Sequence, residues 1–148
     1  MTKIILFLIL TLALGLPQAC AQDMSDVRRI DSMLHTYNKI KRKWVKLEED
    51  GLYKQLSYNK KTGELLKAAI YNPKTKDKVY YLHFINNKLA FVRFGIHYSR
   101  KDNRFGTYYF INNEVVYSDE SRIESQDVQV FIAMANRLAS LVQEWAFL

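Results

Sequence analysis

Residues 79–98 read VYYLHFINNKLAFVRFGIHY, and Asn86 and Asn87 divide them into two halves rich in Tyr, Phe, Val and Ile. Aromatic and β-branched side chains suit a pleated, half-buried surface. Asn tolerates the positive φ that a two-residue hairpin turn demands. The stretch therefore reads as a β-hairpin in which Phe84 faces Leu89 and Ile85 faces Lys88. Its tip recurs, since Phe84-Ile85-Asn86-Asn87 returns as Phe110-Ile111-Asn112-Asn113, each copy preceded by paired tyrosines, Tyr80-Tyr81 and Tyr108-Tyr109. A meander that uses one hairpin solution twice accounts for the echo.

Working outward, NKKTG at 59–63 is a third turn signal, while NPKTKD after Tyr71 and SRKDN after Tyr98 are looser connections. They divide the middle of the chain into six antiparallel strands. On either side the apolar spacing changes to three and four. Val27, Ile30, Leu34, Tyr37, Ile40, Trp44 and Leu47 predict an amphipathic helix over residues 26–48, capped by Asp23 or Ser25 and stopped at Gly51. Val128, Phe131, Ala135, Leu138, Val142 and Trp145 predict a second, opened by a capping box at Ser121 and Glu124 or by Ser125. The fold class is α+β: an N-terminal helix, a roughly six-stranded antiparallel meander, and a C-terminal helix packed on the sheet.

An uninterrupted register sorts side chains by parity. One face would collect Val79, Tyr81, His83, Val92 and Phe94. The other would collect Tyr80, Phe84, Phe91, Arg93 and His97, extended through the next hairpin by Tyr108, Phe110 and Tyr117. Neither face is polar, so a helix on each side, a curled sheet or a partner must cover the second one. Aromatic residues mixed with Arg are enriched at interfaces. Those eight residues, Tyr80, Phe84, Phe91, Arg93, His97, Tyr108, Phe110 and Tyr117, are the candidate binding set.

The first residues carry an address. Lys3 precedes an apolar run of about a dozen residues, too short for a bilayer span of roughly 20. Ala19-Cys20-Ala21 fits the small-x-small pattern of a signal-peptidase site, so residues 1–21 read as a signal peptide and 22–148 as a single exported domain, periplasmic or secreted. The alternative is lipidation at Cys20, giving an outer-membrane lipoprotein. A lipobox places Leu three residues and a small residue two residues before the cysteine, and here those places hold Pro17 and Gln18, with Leu16 one position early. Cleavage after Ala21 leaves about 127 residues, enough for one core and no cysteine, which removes disulfides and thiolate chemistry.

Without Lys3 the 22 Lys and Arg fall to 21 against 15 Asp and Glu, a net charge of +6. The cations gather at Lys39, Lys41, Arg42, Lys43 and Lys46, read as a basic helix end, and at Lys60, Lys61, Lys74, Lys76 and Lys78 in turns. Such a field favours an anionic envelope component, an acidic glycan or an acidic protein, with a second copy of the chain a further partner. No nucleic-acid signature is present. Catalytic motifs are missing too: no G-x-S-x-G elbow, no HExxH, no glycine-rich phosphate loop, and three histidines, His35, His83 and His97, without ligand spacing. No cofactor or metal is expected. The leading expectation is a non-catalytic binding protein that uses its aromatic sheet face or basic helix end; the alternatives are a carrier of an apolar ligand and a small hydrolase.

Overall fold

The computed structural model describes residues 24–75, 77–97 and 101–146. The expected signal sequence with Ala19, Cys20 and Ala21 lies outside them, as do Asp23, Tyr98 and Phe147-Leu148. Helix α1 covers residues 24–37, with Ser25 already inside its first turn. Seven strands follow: β1 (Arg42–Glu49), β2 (Leu52–Asn59), β3 (Leu65–Tyr71), β4 (Lys78–Ile85), β5 (Lys88–His97), β6 (Asn103–Ile111) and β7 (Glu114–Asp119). Helix α2 (Val128–Ala146) closes the chain. The strands form one sheet in sequence order, every neighbour antiparallel. The α+β class and the closing helix are as the sequence implies; the strand count is seven rather than six.

The extra strand comes out of the expected first helix. That helix stops at residue 37, and the chain unwinds through bonds from Lys39 N–H to the Thr36 carbonyl and from Ile40 N–H to that of Tyr37. Residues 42–49 then alternate, Val45 and Leu47 turned inward and Trp44 and Lys46 outward. Asp50 and Gly51, both at positive φ (54° and 73°), form the two-residue turn that returns the chain as β2. The basic cluster Lys39 to Lys46 is therefore not a helix end. It runs from a loop into an edge strand, where Arg42, Lys43 and Lys46 discourage edge-to-edge pairing with another sheet.

Asn86-Asn87 and Asn112-Asn113 have positive φ throughout, between 50° and 64°, and turn β4 into β5 and β6 into β7 as expected. Just beyond each tip lies an irregularity that parity counting could not see. His83 pairs with Phe91 but Phe84 with Leu89, which leaves Ala90 as an extra residue; Tyr109 pairs with Tyr117 but Phe110 with Val115, which leaves Val116 extra. A bulge reverses the facing of everything after it on that strand. The echo FINN thus includes a bulge three residues past each turn.

One face of the sheet is the main core. Leu56, Ala68, Ile70, Leu82, Phe84, Val92, Phe94, Tyr108 and Phe110 meet Phe131, Ile132, Ala135, Leu138 and Val142 from α2. The Phe131 ring touches Tyr80, Phe94 and Tyr108 at centroid distances of 6.2, 6.3 and 5.0 Å. Burying each such side chain stabilises by roughly 1.5–3 kcal/mol. Farther along α2, Arg137 reaches Glu49 on β1 (3.0 Å), whose carboxylate also holds Lys54. Helix α2 therefore runs obliquely from β4–β6 toward β1, and Trp145 in its last turn packs on the same core. Its start also differs from expectation: Asp127 Oδ1 accepts the Gln129 N–H (3.0 Å) and caps the helix. Ser121, Glu124 and Ser125 belong to the preceding connection, which Glu120 ties down by accepting from Tyr108 Oη (2.7 Å) and the Gln126 N–H (3.1 Å).

Helix α1 meets the opposite face at the end that carries the hairpin tips. Its Val27 and Ile30 are buried outside the α2-side core. Tyr109 Oη donates to Asp31 (3.0 Å), and Tyr37 shares hydrogen bonds with the side chain and N–H of Asn86. Among the described residues no helix is long and apolar enough to cross a membrane.

Candidate binding face

Because strands bring every second residue to the same side, the register defines cross-strand rows on the face away from α2. The first row runs Glu48, Tyr53, Tyr71, Val79, Gly95, Phe105 from β1 to β6. The second runs Lys46, Gln55, Ala69, Tyr81, Arg93, Thr107, Asp119 across all seven strands. The third, which meets α1 at Tyr109, runs Trp44, Ser57, Lys67, His83, Phe91, Tyr109, Tyr117.

The candidate set from the sequence is split by this register. Tyr80, Phe84, Tyr108 and Phe110 lie on the α2 side, and all but the half-buried Tyr80 are buried. Phe91, Arg93, His97 and Tyr117 lie together on the other side. The bulges at Ala90 and Val116 are the cause, since each turns the strand beyond it over. The second set forms a continuous system. His83 meets Phe91 edge-on (5.4 Å between centroids), Phe91 meets Tyr109 (4.9 Å), and Tyr109 meets Tyr117 (6.0 Å). Burial, together with Asp31, pushes the Tyr109 hydroxyl up to about 12, so it stays a donor.

Farther from α1 the face is open. Trp44 is 53% exposed, and Tyr53 and Tyr81 are each 40% exposed. Tyr53 stands edge-on to Tyr71 at 5.9 Å, and the two line an open cleft of about 310 Å³ with Lys46, Glu48 and Gln55. The Phe105 ring covers Gly95, where a Cβ would come within 2.4 Å of it. The Arg93 guanidinium sits 4.1 Å above that ring, and His97 meets it edge-on. Arg42 is placed over Trp44 at 5.9 Å. Aromatic faces carry partial negative charge, so these stackings hold each cation at the surface beside an apolar plate. His97 Nδ1 is within 2.6 Å of Asn103 Oδ1, which fixes its ring.

The register directs Arg42, Lys46, Lys67 and Arg93 to this face against Glu48 and Asp119, and none of the four cations is in a salt bridge with another described residue. Sequence reasoning passed over Trp44, Tyr53, Tyr71, Tyr81, Lys67 and Phe105. The outward alternation Tyr53, Gln55, Ser57 and Lys67, Ala69, Tyr71 was readable, but only a known register joins it to β4 and β5. Among the described residues no group of three or more His, Cys, Asp or Glu side chains converges as a metal site requires. No family model, curated protein or solved structure matches the chain.

Proposed function

We propose that this chain is an exported, non-catalytic binding protein whose open sheet face holds an acidic glycan. The observation that carries the reading is the exposed aromatic and cationic face opposite α2. Flat rings at Trp44, Tyr53 and Tyr81 suit stacking against sugar rings, and Arg42, Lys46 and Arg93 stand among them to meet carboxylate or sulfate groups. The excess of Lys and Arg over the whole chain adds long-range attraction for the same kind of ligand. Export rests on the charged, apolar and small-residue order of residues 1–21. A carrier of apolar ligands would need the space that Phe131, Leu138 and Val142 occupy, which is why the reading rests on the outer face.

Retention on immobilised polygalacturonate, with neutral dextran as control, tests it. The chain should bind the polyuronate in a salt-sensitive way, and Tyr81→Ser with Arg93→Ser should weaken binding roughly tenfold, the scale of one lost charged hydrogen bond. Equal retention on both polymers, or full retention by the double variant, would refute the assignment.

A further inference from the structure

We infer that Arg42, Ser57, Lys67 and His83 form an oxyanion-binding site at the α1 side of the open face, built for a single carboxylate or phosphate group. Ser57, Lys67 and His83 are direct register partners on β2, β3 and β4, the separation at which opposed side chains meet. Arg42, the first residue of β1, comes close enough for its charge to act on both Lys67 and His83. Two cations, a hydroxyl and an imidazole therefore gather here with no carboxylate among them, and Arg42 also donates to the Asn38 carbonyl.

Their surroundings sharpen the point. Ser57 is wholly buried, yet its hydroxyl has no hydrogen-bond partner among the described residues; the same holds for Nδ1 of the largely buried His83. Buried polar groups are almost always partnered, and buried cations almost always face an anion. Lys67 instead feels burial first and then Arg42, both of which lower its pKa. His83 is held down to about 4 by burial, then by Lys67 and Arg42, with only the Phe91 ring opposite it on β5. The neighbouring carboxylate, Glu64, also has a buried Oε1 without a partner among the described residues; its charge acts on the Tyr37 hydroxyl and is not among the causes that shift Lys67 or His83. One oxyanion supplies the charge and the several lone pairs that all four groups can share. The planar guanidinium takes two oxygens side by side, and a hydroxyl, an ammonium and an imidazole N–H suit the remaining lone pairs. Trp44, opposite Ser57, offers an exposed plate for whatever carries the anion.

The site needs only these side chains and stands whether or not the rest of the face holds a glycan. The test is an NMR titration of the exported chain with inorganic phosphate and, separately, acetate, at constant ionic strength set with chloride. Saturable shifts should centre on Lys67 and His83, and the His83 titration midpoint should rise from about 4 toward the free value of 6.5. Lys67→Met should weaken binding roughly tenfold, while Arg93→Ser leaves it unchanged. Replacing an unpaired, half-buried ammonium by an apolar chain favours the fold, so this variant remains testable. Saturable binding of either anion at these residues carries the proposal, and the tighter of the two names the group. Shifts that never saturate, or that spread evenly over surface lysines, would overturn it. Loss of phosphate binding in Lys67→Met with polyuronate retention intact would sustain the site and show that the glycan is held without Lys67.

Discussion

Acidification between pH 6.5 and 4 should weaken this fold chiefly through His83. In the folded chain its imidazole titrates at about 4 against 6.5 when free, because burial and the charges of Lys67 and Arg42 all oppose protonation. A base with a depressed folded pKa takes up its proton in the unfolded chain first. Its contribution is therefore complete above pH 6.5 and is lost as the pH falls toward 4. At about 1.4 kcal/mol per pH unit, the loss approaches 3 kcal/mol. That is a large share of the roughly 5–15 kcal/mol that holds a domain together. The carboxylates held low in this fold, Glu49, Asp77, Asp102, Asp119 and Glu120, lose their contributions at lower pH, as they protonate. A variant comparison isolates the histidine. Urea unfolding of the parent and of His83→Gln at pH 7 and pH 4, in chloride without phosphate, should show the parent losing about 3 kcal/mol more than the variant. Parallel losses, or a His83 ring resonance titrating near 6.5, would refute the reasoning.

Phe131→Ala should cost about 3–5 kcal/mol, because the ring is buried against Tyr80, Phe94 and Tyr108 and the hole cannot close from one side; thermal melts check this, and a loss below 1 kcal/mol would contradict the packing. Gly95→Ala should lift the Phe105 ring off the sheet and break the Arg93 stacking, lowering stability by about 1 kcal/mol, since the ring can yield toward solvent. A changed near-ultraviolet circular dichroism spectrum should accompany it; an unchanged one would mean the ring does not rest on Gly95. With cleavage after Ala21, as proposed, the intact mass should match a chain starting at Gln22, and a diacyl or triacyl increment on Cys20 would instead mark a tethered protein.

The hairpin tips were legible because their chemistry is local: Asn at positive φ is cheap, and two paired asparagines say where the chain reverses. Residues 42–49 were misread for an equally physical reason. Trp44 and Leu47 continue the helical spacing of Ile40, and the competing signal, Asp50-Gly51, serves as well for a helix end as for a hairpin turn. Sequence separates the two only by asking what the next segment pairs with. The binding set failed at two extra residues, Ala90 and Val116. Ala90 looks like any small core residue, yet it turns Phe91, Arg93 and His97 away from Tyr80 and Phe84. The row Ser57, Lys67, His83 depends on two successive strand pairings across a further irregularity beside Ser57, and no local pattern announces that.

The order of elements along the chain also sets the order in which it can fold. Every strand pairs with its immediate predecessor, so the meander can grow as the polypeptide emerges and needs few distant contacts. Helix α2 is made after all seven strands, and until it arrives the face carrying Leu82, Phe84, Phe94 and Tyr108 lacks the helix it packs against. Before α2 is made the meander is thus a bare apolar sheet with exposed edges, the kind of species that aggregates or recruits a chaperone. The final nineteen residues of regular structure decide when that hazard ends, which makes truncation near the C-terminus costlier than its distance from the open face suggests.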